Sequence, residues 1–436
     1  MNSNLKFEIK RLSIITKIGE MSITDIFQEL NLYDSVFYPC LSGDVVIVDA
    51  HGLSSKLSFD GSEVINVYMT KQDDIAVFKK SFRIYKQSNR KNINSTSEIY
   101  ILHFISEEYI LSQQLKINKT YNSTYSEVVN NILLNNLIVD PKNIAQIEKS
   151  QGICDIVIPN KTPFQAISFC KKRAVNSKVS PTFLFFENAD GYNFVTASTL
   201  LGKAPLFSLH YEPKNLSEST DKKNELLGIR AFEVLTNHDY ISNINSGLYA
   251  GTFVGVDIRN RIIARKKVNF NEIMQKNLMA NKIPDIGIVD NKLGLTNIEM
   301  YNSKVVLYPT SIYDSQSPYV KENYPEKINT EDKTYDFVLQ RTASLRNIFQ
   351  KRLRLVLPGN FYLTSGYTVE LKIPLRGLTT GSDSIDKVIS GKYIIIATRH
   401  IIRYDRHETI IDVTTDSTNE DFVSQSTQKQ TEALEE

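Results

Sequence analysis

Short alternating runs of β-branched and aromatic residues, fenced by turn residues, constrain this chain more than any other feature. Leu5, Phe7 and Ile9 alternate with Lys6, Glu8 and Lys10. An apolar run at 45–48 follows Ser42, Gly43 and Asp44 and stops at Asp49. Asp60 and Gly61 mark a turn before the run at 64–69, and alternation resumes at 78–85 and 99–105 across the polar stretch 87–97. A period of two sends one set of side chains to a core and the other to water, the pattern of a strand with one buried face. Four or five such strands at this spacing predict a small antiparallel barrel or sandwich over residues 1–108. The stretch 23–30 fits a strand or a helix equally.

The texture changes over 109–205. Thr124 and Glu127 form a capping box, the threonine capping a helix start and the glutamate reaching back to the cap amide. Val128, Val129, Ile132 and Leu133 follow at helical spacing. Thr162, Pro163 and Gln165 predict a second helix, with proline where its missing N–H costs nothing and Phe164, Ile167, Cys170 and Ala174 on one face. The runs 183–187 and 192–196, joined by Asn188, Ala189, Asp190 and Gly191, predict a hairpin with glycine at a positive-φ position. This segment reads as an α/β domain.

Residues 206–270 return to β patterning, with strands expected at 232–235, 251–256 and 262–270, and read as the first part of a second barrel. Residues 271–334 carry Pro284, Pro309, Pro318 and Pro325 with weak periodicity, a loop-rich insertion. Residues 335–416 supply a helix over 335–349 and the remaining strands of that barrel, at 354–357, 361–363, 367–373, 393–402 and 409–413. The two β regions echo each other: each holds a glycine-led run (Gly43 and Gly359) and each closes on two long alternating strands. Duplicated units leave such an echo. The tail, 417–436, is polar and expected to be disordered.

Composition narrows the class. Hydrophobic residues at 41 % supply several cores, which rules out wholesale disorder, and a net charge of +2 provides no field to attract nucleic acid or membrane. Cys40, Cys154 and Cys170 form no CxxC or Cys/His cluster, so neither zinc nor a disulfide framework is expected, and all three read as buried thiols. The first 20 residues lack a continuous apolar core, and no apolar run nears the ~20 residues of a membrane span. A soluble protein without a signal peptide is expected.

Residue clusters that could carry chemistry have simpler readings. His400, His407 and Asp405 lie among Arg399, Arg403 and Arg406, which repel a cation, so a solvated hairpin is expected there rather than a metal site. Glu107 and Glu108 follow a strand and read as a solvated edge. No G-x-S-x-G elbow occurs. Gly247, Gly251 and Gly255 precede neither a helix start nor Lys-Ser/Thr, which fits turns or close approaches in a sheet. Arg259, Arg261, Arg265, Lys266 and Lys267 crowd one alternating stretch without an acid. That stretch reads as a charged edge, or as a nucleic-acid-facing patch. No catalytic, cofactor-binding or metal-binding residues are expected.

Taken in order, the runs SGDVVIVD at 42–49 and GSEVINV at 61–67, the helices at 124–137 and 162–174, and the hairpin at 183–194 make a pattern. SGLYAG at 246–251, VDI at 256–258, the strand at 262–270, LPGNFYLTSG at 357–366 and GKYIIIATRH at 391–400 complete it. The pattern resembles the central baseplate hub proteins of contractile-tailed bacteriophages and, more distantly, the hub part of type VI secretion spike proteins. The resemblance implies a mainly β chain with an α/β part, two similar small antiparallel β-barrels and a homotrimer. Six barrels then form a pseudo-six-fold ring joining a hexameric tail tube to a trimeric central spike, with baseplate wedge proteins as neighbours and DNA passing through the lumen. It implies no enzyme and no cofactor, and a place in the virion tail after assembly in the host cytoplasm. Two other classes fit a β-rich chain: a receptor- or glycan-binding tail module, which lacks tryptophan-bearing loops here, and a peptidoglycan hydrolase, which needs two spaced carboxylates in a cleft.

Overall fold

The computed structural model describes residues 7–50, 52–53, 60–71, 77–178, 180–211, 227–237, 239–257, 261–269, 304–309, 334–374 and 385–417. The fold is mainly β with an α/β part. The first unit holds β1 (Phe7–Thr16), β2 (Gly19–Ser22), β3 (Phe27–Ser35), β4 (Ser42–Asp49), β5 (Val64–Lys71), β6 (Val77–Asn92) and β7 (Glu98–Ile105). Their hydrogen-bonded order is β2-β1-β5-β6-β7-β4-β3, all antiparallel. The ambiguous stretch 23–30 turns at Ile23 and then enters β3. Alternation does what the sequence implied: Leu12, Leu30, Val45, Ile65, Phe82 and Leu102, one from each of six strands, meet in one core. No ladder among the described residues closes β3 back onto β1.

The α/β unit follows, with α1 (Glu107–Gln114), β8 (Ile117–Ser123), α2 (Tyr125–Asn131), β9 (Ile144–Ile147), β10 (Cys154–Lys161), α3 (Pro163–Arg173), β11 (Phe183–Asn188), β12 (Gly191–Thr196) and α4 (Ala197–Gly202). Both expected capping boxes form, at Thr124 with Glu127 and at Thr162 with Gln165. Val128, Val129, Ile132, Ile167 and Cys170 pack with Phe183 and Phe194 in one core. The hairpin turn at Gly191 is sterically dictated. Its φ is +126°, and a Cβ there would lie 2.1 Å from the Asn143 carbonyl oxygen. Cys40 and Cys170 are buried thiols.

The last part holds β13 (Phe207–Tyr211), β14 (Gly228–Ile229), β15 (Ala231–Asn237), α5 (Tyr240–Ser246), β16 (Ala250–Asp257), β17 (Ile262–Asn269), β18 (Lys304–Pro309) and α6 (Thr334–Ile348). It ends with β19 (Lys351–Pro358), β20 (Thr368–Lys372), β21 (Gly391–Ile402) and β22 (His407–Thr415). Of the segment read as the first part of a barrel, only β13 to β15 join the large sheet. β16 and β17 pair instead with β18 in a separate sheet, because Phe253, Val268 and Val306 on one face find their apolar partners in Leu339 and Ala343 of α6. The 271–334 region, read as loop-rich, contributes at least β18, parallel to β16. The rest of that region and the tail beyond Ser417 lie outside the described residues.

The pairing of the first seven strands recurs in seven later ones. Contacts β1–β2, β1–β5, β5–β6, β6–β7, β7–β4 and β4–β3 are matched by β13–β14, β13–β20, β20–β21, β21–β22, β22–β19 and β19–β15. Residue registers agree through the first slip of the long strands, beyond which β6 slips once more, between Ser88 and Lys91, and β21 does not. Val64 opposes Arg83 and Thr368 opposes Ile394 at the start of β5 and β20. Both long strands then slip register at the next step, between Ile84 and Lys86 in one and Ile395 and Ala397 in the other. Under this correspondence buried residues fall on buried residues: Val45 on Leu355, Ile65 on Val369, Leu102 on Ile411, Phe104 on Val413. The one difference in sense is β13, which runs parallel to both neighbours, whereas β1 is antiparallel to its own. The glycine-led echo does not fit this correspondence. Gly43 lies inside β4 beneath the Phe104 ring, while Gly359 follows β19 beneath His407, so each glycine answers a local ring contact.

Candidate functional site

Among the described residues no group of His, Cys, Asp and Glu is placed to hold a metal ion. The two best-defined cavities hold about 10 Å³ each, room for about one water. His400 and His407 lie on opposite strands of the β21–β22 hairpin with ring nitrogens 3.3 Å apart. The expected solvated hairpin is solvated only at its tip. His400 is buried against Phe361, and burial pulls its imidazole down to about 3, so it stays neutral and meets Thr409 at 3.1 Å. Glu107 and Glu108 open α1 rather than flanking a strand edge, and Glu107 pairs with Arg83.

Polar chemistry concentrates where the two β units meet the α/β unit. Asp34, near the end of β3, accepts from the Thr364 hydroxyl and, at 3.3 Å, from the Ser365 amide. Burial raises its carboxyl to about 6, only partly offset by those hydrogen bonds. On the same loop the Ser365 carbonyl accepts from Asn188 at 3.0 Å, Thr364 accepts from the Ala189 amide at 3.2 Å, and Tyr367 donates to Asp190 at 2.6 Å. The hairpin turn at 188–191 is thereby tied to the loop between β19 and β20. A second buried carboxylate, Glu187, pairs with Lys80 and accepts from the Leu41 amide and the Ser106 hydroxyl. Burial pulls the Lys80 ammonium below its usual value, opposed by the Glu108 charge. A buried carboxylate engaged by three donors from separate segments holds those segments in register. From α6, Arg341 reaches across to the carbonyls of Lys171, Pro181 and Phe183.

The β units are welded by a ladder. Residues 397–402 of β21 pair antiparallel with 35–30 of β3, which makes one sheet of fourteen strands. Arg403 meets Glu29 at 2.8 Å and Arg399 meets Asn31 at 2.9 Å across it. Asn31 passes the chain on to Asp44 at 3.2 Å. Of the arginines that flank the histidines in the sequence, Arg399 and Arg403 therefore serve the seam between units, while Arg406 pairs with Glu408 of its own hairpin.

The basic stretch falls on β17, its residues 258–260 lying outside the described set. Arg265 and Lys267 are exposed in the face that also shows Ile263, Val305 and Leu307 at 61, 64 and 70 % exposure. Apolar side chains interleave with the charge, so this face differs from a uniformly basic nucleic-acid stripe.

No family model matches the sequence, and no curated protein matches it. Solved structures do. The 43 kDa tail protein of prophage MuSo2 from Shewanella oneidensis superposes with a TM-score of 0.53 at 8 % identity, covering 94 % of this chain and 99 % of that one. A tail protein from Neisseria meningitidis gives 0.50 at 12 % identity, covering 93 % and 96 %. The chain has the fold of phage tail proteins. A type VI secretion component of Escherichia coli aligns at 0.42 and 9 % identity over 94 % of this chain and 77 % of its own.

Within this tail-protein fold the junction and the seam are built from residues that sequence reasoning passed over. Asp34, Thr364, Glu187 and Lys80 are separated by tens to hundreds of positions, and no local spacing signals them. The one available hint was polarity inside otherwise alternating strands, as at Asp34 and Asn31, where an exposed residue would be equally ordinary. No helix among the described residues is long and apolar enough to cross a membrane.

Proposed function

We propose that the chain is the structural hub subunit of a phage tail baseplate, a homotrimer whose six β units form a pseudo-six-fold ring between tail tube and central spike. The recurring strand neighbourhood within one chain carries this reading. A three-fold assembly of a duplicated unit presents six near-equivalent faces, which suits a six-fold tube on one side and a three-fold spike on the other. Each unit is read as a small barrel. In the second, β14 is separated from β15 by Arg230 alone, whose amide donates to the Val356 carbonyl at 2.9 Å. In this reading the path β13-β20-β21-β22-β19-β15 returns to its start through the chain connection from β15 to β14. The described residues within 7–105, 207–237 and 351–415 then form the two barrels, those within 107–202 the α/β domain, and β16 to β18 with α5 and α6 a satellite.

The part is mechanical and not enzymatic: the buried carboxylates are consumed by structural hydrogen bonds, and the work is done by interfaces. Partners in this reading are two further copies, the spike, the tube and the baseplate wedges, in the virion tail, with DNA crossing the lumen. Light scattering and negative-stain imaging of the purified chain, alone and with the spike protein of the same tail, test it. A three-fold ring with six lobes is expected. A chain that stays monomeric at micromolar concentration in both preparations overturns the reading, and lysis of a peptidoglycan gel overturns its non-enzymatic part.

A further inference from the structure

The weld inside the chain has a counterpart that the chain itself leaves unmade. The weld joins β3 of the first unit to β21 of the second. By the strand correspondence, β15 is the second unit's counterpart of β3, and β6 is the first unit's counterpart of β21. Each of these counterparts has an edge that carries no strand among the described residues. β15 pairs only with β19, and β6 beyond Ile84 pairs only with β7. Exposure follows. Leu32 on β3 is 5 % exposed, whereas its counterpart Val234 on β15 is 42 % exposed. His400, Ile401 and Ile402 on β21 are buried, whereas Asn89, Arg90, Lys91 and Asn92 on β6 are exposed. An unpaired strand edge offers its backbone groups to another strand, and β15 adds an exposed apolar side chain at Val234.

We propose that β15 of one copy pairs antiparallel with residues 86–92 of β6 in the next copy, repeating the β3–β21 weld between chains. This rests on the ring reading above, and it names the strands that close the ring. A heterologous contact closes when its rotation repeats, and here the internal weld sets the rotation. Register transfers through the shared neighbours, with one extra slip in β6 between Ser88 and Lys91 that β21 lacks. Asn31 opposes Ile401 in the weld. Glu233 corresponds to Asn31, since the residues after them, Leu32 and Val234, oppose Gly43 and Leu353, which in turn oppose Phe104 and Val413. Lys91 corresponds to Ile401, through its partner Ile99 on β7 and the matching Glu408 on β22. Glu233 of one copy therefore faces Lys91 of the next, an opposite-charge pair at the centre of the ladder. The weld itself carries opposite charges across the same strands, Glu29 to Arg399 and Arg403.

The full-length double variant Glu233→Cys with Lys91→Cys tests this. Opposed residues of an antiparallel pair lie about 5 Å apart at Cα, within disulfide reach. Oxidation is expected to give dimers and trimers on a non-reducing gel, ending at the trimer. Glu233→Cys with Lys86→Cys, displaced by more than about 13 Å along the strand, is expected to stay unlinked. In parallel, Glu233→Lys is expected to weaken trimerisation about tenfold by like-charge contact, with Lys91→Glu in the same chain restoring it. Both residues are exposed, so folding is not at stake. A trimer by light scattering that links neither pair, or both equally, overturns this pairing and leaves the ring. A folded monomer under all conditions overturns the ring and the pairing together.

Discussion

Asp34 offers the sharpest quantitative test of the junction. Its carboxyl is buried and raised from an ordinary 3.8 to about 6, so the folded state prefers it protonated. Its contribution to stability is therefore fully present below pH 3.8, is lost as pH rises toward 6, and is absent above that. At about 1.36 kcal/mol per pH unit the loss amounts to about 3 kcal/mol. His400 lines the same small cavity but stays neutral above about 3, so it supplies no compensating charge in this window. Asp34→Asn keeps an acceptor for Thr364 and removes the titration. Urea unfolding of both proteins, followed by far-ultraviolet circular dichroism because the chain has no tryptophan, gives stability at each pH. The advantage of the variant over the parent is expected to grow by about 3 kcal/mol between about pH 3.5 and pH 7. Parallel curves, or an advantage that shrinks with pH, would refute the assignment of Asp34 as a charge buried at a cost.

Further expectations follow from named contacts. Gly191→Ala forces a Cβ against the Asn143 carbonyl at a positive φ and should cost more than about 2 kcal/mol in unfolding free energy, read by chemical denaturation. Ile411→Ala, at 0 % exposure in the second β core, should cost about 2–5 kcal/mol and lower the thermal midpoint measured by calorimetry. Thr162→Ala removes the hydroxyl that accepts from the Gln165 amide at 3.3 Å and should cost about 1 kcal/mol, seen as faster amide exchange in the first turn of α3.

Local order was legible in the sequence where it arises locally. Alternation gave β4, β5 and β7, the threonine-led boxes gave α2 and α3, and Gly191 gave its turn. The long closing hairpins disclosed a repeat, because core positions such as Leu102 and Ile411 must both be apolar. Assignment of strands to sheets was not legible. β16 and β17 alternate like any strand, and only the apolar face of α6 decides that they leave the large sheet. The junction was hidden for a related reason. Asp34 and Thr364 are 330 positions apart, and a buried carboxylate looks no different in sequence from a solvated one until its partners are known.

The weld between β3 and β21 also bears on how the chain is made. Leu30 is covered by Ile402, so an emerging polypeptide exposes the bare rim of its first sheet until residues 391–402 have been made. Contacts of such long sequence separation form late, and an uncovered strand is an invitation to wrong neighbours in the interval. A nascent or truncated chain ending before β21 would thus display an edge of β3 that the folded chain covers.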